Sequence, residues 1–236
     1  MKPNYKIGRV ALSFISLMIF PHFAFAQNAD QQKSEIYSQL KCCDCQEPFA
    51  KCKCTEAVEM KAYISALLDS GIDKEEIFYR IAKKFSLKTI IDEQTRQAAE
   101  KRLIKEAGQT RPQIVLGAEL FDLGKVSKKK GKISKIFKVS NKGNSALVIK
   151  NIKTTCPCAS VSLKVGKKKS LYFGTDGSPK DWQEQINPGQ AGELELMVDF
   201  TSPHVKTGKL IREALLISND PVYPEVTVRV EAEVIE

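Results

Sequence analysis

Two periodicities divide this chain. Between Asp30 and Ala107 the apolar residues recur three and four positions apart with almost no proline or glycine, whereas beyond Pro112 they alternate at every second position between turn residues. Met60, Tyr63, Ile64, Leu67 and Leu68 form one stripe of a helix from about Glu56 to Ser70, and Gly71 closes it. Ahead of it, Asp30 can cap a short helix ending near Leu40, with Ile36, Tyr37 and Leu40 on one face. Behind it, Asp73 and Glu76 start a third helix that carries Ile77, Phe78, Ile81, Ala82 and Phe85 inward. A last helix, Asp92 to Ala107, has a thin apolar face and reads as a spacer. In the second half, Phe137 and Val139, Leu147 and Ile149, Leu194 to Phe200, Ala214 and Leu216, and Val226 to Val234 each supply one face of a strand. Asn141-Lys142-Gly143-Asn144, Asn187-Pro188-Gly189 and Asn219-Asp220-Pro221 supply turns. The predicted class is α plus all-β in two domains. A small three-helix bundle with its spacer helix occupies 27–110, and an immunoglobulin-like sandwich of about seven strands occupies 113–236.

The first residues fit neither half. Lys2, Lys6 and Arg9 precede an apolar run from Val10 to Phe20, and Ala24-Phe25-Ala26 offers the small residues of a cleavage site. Residues 1–26 read as a signal peptide, which predicts a periplasmic or secreted chain starting at Gln27. Its removal leaves 34 basic residues against 28 acidic ones, lowering the net charge from +9 to +6. The lysine runs Lys128–Lys130 and Lys167–Lys169 border Gly131 and Gly166, so they read as solvated hairpin ends and not as a nucleic-acid surface. His204, beside Pro203, has no nucleophile at motif spacing and reads as a loop residue.

Cysteine usage brings in chemistry. All seven lie after the signal segment: Cys42, Cys43, Cys45, Cys52, Cys54, Cys156 and Cys158. An odd number cannot be fully paired within one chain in an oxidising compartment. Cys42 and Cys45, two residues apart, can close a reversible disulfide. The same thiols followed by Cys52 and Cys54 offer four thiolates to a soft metal ion, and static disulfides would hold a small helical domain together. These three readings stay open on spacing alone. Placed after a helix, Cys42 is expected to face its negative end, which Lys41 offsets in part. Cys156 and Cys158 form a second pair, expected side by side in extended backbone and either labile as a disulfide or present as two thiols.

Leu40-Lys41-Cys42-Cys43-Asp44-Cys45-Gln46, with the helix ending at Gly71 and the Asp73-Lys74-Glu75-Glu76-Ile77 start, resembles the N-terminal domain of the CcmH/CycL/NrfF family of cytochrome c biogenesis proteins. The resemblance covers about residues 33–90. It implies thiol-disulfide exchange by Cys42 and Cys45, as an oxidoreductase or haem lyase subunit, with apocytochrome c or haem lyase components as partners. Haem in transit at Cys42 and Cys45 is the cofactor it implies. Phe121-Asp122-Leu123-Gly124, Phe137-Lys138-Val139-Ser140-Asn141, Leu147-Val148-Ile149, Thr155-Cys156-Pro157-Cys158, Asn187-Pro188-Gly189 and Ser218-Asn219-Asp220-Pro221 are similar to the bacterial Hydin-like immunoglobulin-type domain of unknown function, which implies a fold and a protein-docking role. Two functions follow. One is a periplasmic thiol-disulfide protein of cytochrome c maturation. The other is an exported, non-enzymatic adaptor or metal-binding protein whose cysteines are structural or metal ligands.

Overall fold

The computed structural model describes residues 22–42 and 48–236, with side chains from residue 30 onward. Most of the expected signal segment therefore lies outside the described residues, as do Cys43 and Cys45. Among the described residues, four α-helices precede ten β-strands. Among the described residues, no helix is long and apolar enough to cross a membrane.

The helices are α1 (His22–Ser38), α2 (Thr55–Asp69), α3 (Lys74–Lys84) and α4 (Glu93–Ala107). Asp30 lies inside α1 and caps nothing, because residues 22–30 contain neither proline nor glycine to end a helix. Ile36 and Leu40 are buried as their spacing predicts, and Tyr37 is half-buried. In α2 the stripe narrows to Ala57, Met60, Ile64 and Leu67, all in the core. Gly71, at φ 70°, lets the N–H groups of Gly71 and Ile72 turn back onto the carbonyls of Leu68 and Leu67. Asp73 caps α3 by accepting from the Glu76 amide at 2.9 Å. The spacer reading of α4 is corrected: Ala99 and Leu103 are buried in the same cluster as the residues of the first three helices. Two inward residues suffice because α4 packs along α3, and its polar faces pair with that helix through Lys83–Glu106 and Arg102–Glu76. A four-helix cluster with one shared core thus replaces the expected bundle of three.

The strands form a two-layer sandwich. One sheet joins β1 (Ile114–Leu116), β3 (Lys132–Asn141), β8 (Ala191–Asp199), β5 (Ala159–Val165) and β6 (Lys168–Lys169) in that spatial order. The other joins β2 (Leu120–Ser127), β10 (Glu225–Ile235), β9 (Gly208–Ser218), β4 (Leu147–Thr154) and β7 (Glu184–Ile186). All pairs are antiparallel except β2 with β10. Every residue assigned above to an inward strand face is buried, and the two faces meet in a single core. Removing each such aliphatic side chain from water contributes roughly 1.5–3 kcal/mol. The count of about seven strands is too low, because β1, β6 and β7 have only three, two and three residues. The alternation also marks no face for β2 or for β5, whose Val161 and Leu163 face the core between serines. The lysine runs lie where turns were expected, Lys128–Lys130 forming a short 3-10 turn and Lys168–Lys169 an edge strand.

Two turn motifs do more than reverse the chain. Asn141 is fully buried: its amide donates to the carbonyls of Ser145 and Ile186, and its oxygen accepts from the amides of Gly143 and Gln113. A Cβ at Gly143 would come within 2.2 Å of the Arg111 carbonyl, so only glycine fits there. Asp220, 1% exposed, accepts from the backbone amides of Ile114, Val222 and Tyr223 and lies 3.8 Å from the Arg111 guanidinium. This places Val222 in the helical core and lets the Tyr223 hydroxyl donate to Glu100 of α4 at 2.7 Å. Burial and the Glu100 carboxylate both push the Tyr223 phenol up.

Asp220→Ala should lower stability by roughly 3 kcal/mol in urea unfolding, since it strands buried amides; Asp220→Asn, which keeps one acceptor, should lose less. On the sandwich edge, hydrogen bonds from Lys169 and Tyr172 hold the Glu195 carboxyl down to about 2. Its stabilising effect is therefore complete above the ordinary glutamate range and fades as the pH falls toward 2. Glu195→Gln should flatten that part of the acid-unfolding profile.

Candidate functional site

Cysteines from two separate stretches, the segment after α1 and the turn that leads into α2, meet at one end of the helical half. After α1 the chain pairs back onto the turn before α4: Leu40 bridges Ile90, and the Lys41 amide donates to the Thr89 carbonyl at 2.8 Å. Lys41 also forms an isolated antiparallel bridge with Pro48. Pro48 opens a tight turn in which the Cys52 amide donates to the carbonyls of Pro48 and Phe49. Phe49 is buried edge-on against Tyr37, with ring centres 5.1 Å apart. The chain then enters α2 with Cys54 as its cap, the sulfur accepting from the Ala57 amide at 3.4 Å.

These constraints bring the sulfurs together. Cys42 Sγ is 3.0 Å from Cys54 Sγ, Cys52 Sγ is 3.3 Å from it, and all three lie within 4.8 Å of one another. Cys42 and Cys52 are each 3% exposed and Cys54 is half-buried. The polarity is the reverse of what position along the chain suggested. Although Cys42 follows α1, its sulfur lies against that of Cys54, at the positive end of α2. Lys61, one turn beyond Ala57 on α2, donates through Nζ to the carbonyls of Ala50 and Cys52 at 2.9 and 2.6 Å and lies over the Phe49 ring. Nothing in the spacing marks Lys61, whose role depends on the loop folding back over α2. Of the thiols named from sequence, Cys42, Cys52 and Cys54 converge, and Cys45 lies outside the described residues.

A tetrahedral metal ion with metal–sulfur bonds of about 2.3 Å sets its sulfurs about 3.8 Å apart, so the pairs at 3.0 and 3.3 Å would open by about half an ångström or more to hold one. The helix N-terminus and Lys61 would offset part of the charge of three thiolates. The same 3.0 Å contact would also let one sulfur attack a disulfide formed by the other.

The second pair lies at one end of the sandwich, where the chain crosses from β4 to β5. Cys156 and Cys158 do not sit in extended backbone; they occupy a tight turn closed by the Ala159 amide on the Cys156 carbonyl, because Pro157 and the sheet crossing force a reversal. Cys158 is buried and Cys156 half-buried. The Cys158 amide donates to Cys156 Sγ at 3.4 Å, and Arg212 Nε of β9 donates to Cys158 Sγ at 2.7 Å. Burial pushes the Cys158 thiol up and Cys156 adds to this, while Arg212 pulls the other way. His204 contributes only its carbonyl, which accepts from Arg212 at 3.1 Å.

Residues 114–178, the first part of the sandwich with the Cys156–Cys158 turn, match a family model described as a protein of unknown function (DUF1573). No curated protein matches the chain. Among solved structures, a protein of unknown function from Porphyromonas gingivalis W83 is 19% identical with a TM-score of 0.38, covering 53% of this chain and 48% of its own. The chain thus spans about half the length of that protein. The ASH/PapD-like domain of human CEP192 is 7% identical with a TM-score of 0.34, covering 53% and 87%. The E. coli chaperone DraB is 9% identical with a TM-score of 0.33, covering 52% and 55%.

The capping role of Cys54 can be separated from its sulfur chemistry. Cys54→Ser, which puts a stronger capping oxygen in place of the sulfur, should unfold at or slightly above the wild-type midpoint in the metal-free protein, whereas Cys54→Ala should fall below Cys54→Ser by about 1 kcal/mol in urea titration.

Proposed function

We propose that this chain is an exported adaptor whose helical half holds a soft metal ion, zinc by preference, on Cys42, Cys52 and Cys54, and whose sandwich docks it to a protein partner. The observation that carries this reading is the convergence of three sulfurs within 4.8 Å of one another, with Cys42 and Cys52 almost fully buried and Cys54 half-buried. Thiols built for exchange with a large client need an approachable sulfur, and a buried cluster is better suited to closed thiolate coordination. The ion would fasten α1, the 48–54 turn and the start of α2, a staple that a helical core of this size benefits from.

A second reading keeps the chemistry redox. On the resemblance to the cytochrome c biogenesis family, Cys42 and Cys45 exchange disulfides with apocytochrome c or haem lyase components in the periplasm. The 3.0 Å contact between Cys42 and the half-exposed Cys54 favours it, because a disulfide received at Cys54 could pass inward to Cys42.

Metal analysis of the full chain, purified without chelator or oxidant from its native compartment, separates the two. About one zinc ion per chain is expected, replaceable by cobalt with a thiolate charge-transfer band, and lost in Cys42→Ser, Cys52→Ser and Cys54→Ser but not in Cys156→Ser. A metal-free protein whose Cys45→Ser variant traps a partner through Cys42 would overturn the metal reading in favour of exchange.

A further inference from the structure

The turn between β4 and β5 carries a thiol pair with unequal surroundings, and it involves none of the cysteines of the helical half. Cys156 is half-exposed, and Cys158 is buried beneath it with its amide on the Cys156 sulfur. The turn is held on several sides. Thr154 Oγ1 donates to the carbonyls of Cys156 and Ala159, the Thr155 amide to Glu213, and the Asp199 amide to the Cys158 carbonyl. Arg212 is equally fixed, donating to the carbonyls of Ile211 and His204 while its Nε points at Cys158 Sγ. A guanidinium immobilised on a buried sulfur offsets part of the cost of holding that sulfur as a thiolate, although burial outweighs it and leaves the Cys158 thiol pushed up.

We propose that Cys156, Cys158 and Arg212 form a disulfide-donating centre for client dithiols. In the forward step a client thiolate attacks Cys156, the sulfur within reach of solvent. The Cys156–Cys158 bond breaks, a Cys156–client mixed disulfide forms, and Cys158 leaves as a thiolate held by Arg212. The second client thiolate then attacks the client sulfur of that mixed disulfide and releases Cys156 as a thiolate, which takes up a proton. The client is oxidised to a disulfide by two electrons and the pair is reduced to two thiols. A second, low-molecular-weight disulfide regenerates the pair by the reverse exchange. Two features point the transfer outward. The short ring closed through Pro157 strains the oxidised form, and Arg212 lessens the cost of the departing Cys158 thiolate, so the disulfide is readily reduced by a client.

The test uses the full chain equilibrated with reduced and oxidised glutathione, quenched with acid, alkylated and digested with trypsin. Cleavage after Lys153 and Lys164 isolates Cys156 and Cys158 in one peptide, apart from the helical cysteines. This keeps the result independent of any metal bound there. The expected result is an intrapeptide disulfide that forms only in strongly oxidising buffers and is reduced rapidly by dithiothreitol. In Cys158→Ser, Cys156 should accumulate a glutathione mixed disulfide, whereas in Cys156→Ser the buried Cys158 should remain largely unmodified. Arg212→Met should slow reduction of the pair by dithiothreitol about tenfold and alter the pH profile of that rate, with Arg212→Lys recovering part of it. Matched urea-unfolding midpoints keep these rates from being read as loss of fold. A peptide that stays a dithiol in the most oxidising buffer would overturn the proposal. So would equal glutathionylation of the two serine variants, or an Arg212→Met rate and pH profile like those of wild type.

Discussion

A single buried carboxylate holds the two halves of this molecule in register. Asp220 cannot be solvated where it lies, so its charge must be met by amides, and those amides come from the first residue of β1 and from the loop that leads into β10. Meeting them fixes where the sandwich begins relative to where α4 ends, and it drives Val222 into the helical core beside α4. Tyr223 then spends its hydroxyl on Glu100, and Arg111 supplies the nearest positive charge. A cost of several kcal/mol for an unmet buried charge makes this arrangement a requirement and not an embellishment.

The two cysteine sites sit on opposite kinds of scaffold and use opposite sources of positive potential. In the helical half the sulfurs gather at a helix N-terminus, where Cys54 substitutes a sulfur for the usual capping oxygen and Lys61 ties down the preceding turn. That arrangement concentrates thiolates in one buried place, which suits coordination. In the sandwich one sulfur is buried against a pinned guanidinium and its neighbour is left half-open, which suits transfer. Burial alone would leave thiols inert, and in both places positive potential lies close to the sulfurs, from the start of α2 at Cys54 and from Arg212 at Cys158. The odd cysteine count already indicated that not every thiol could be locked in an internal bond.

What the sequence determined by itself is what depends on local periodicity and on short-range capping. The stripes from Met60 to Leu67 and from Ile77 to Ala82, the alternation from Val226 to Val234, the cap at Asp73 and the left-handed Gly71 were all legible, because burying one face imposes a period and ending a helix demands particular residues. Tertiary structure decided what joins distant positions. The electrostatic setting of Cys42 could not be read from the helix before it, since its sulfur meets Cys54, 12 residues on. Cys54 as a cap was hidden because a thiol is a poor capping group by propensity, and Arg212 stands 54 positions from the sulfur it serves. The turn of Cys156-Pro157-Cys158 and the packing of α4 follow from a sheet crossing and a neighbouring helix, neither of which leaves a mark in the local pattern. Asp220 reads as one residue of an Asn-Asp-Pro turn until folding brings Ile114, 106 positions away, against it, and only then does burial make its carboxylate the tie between the halves.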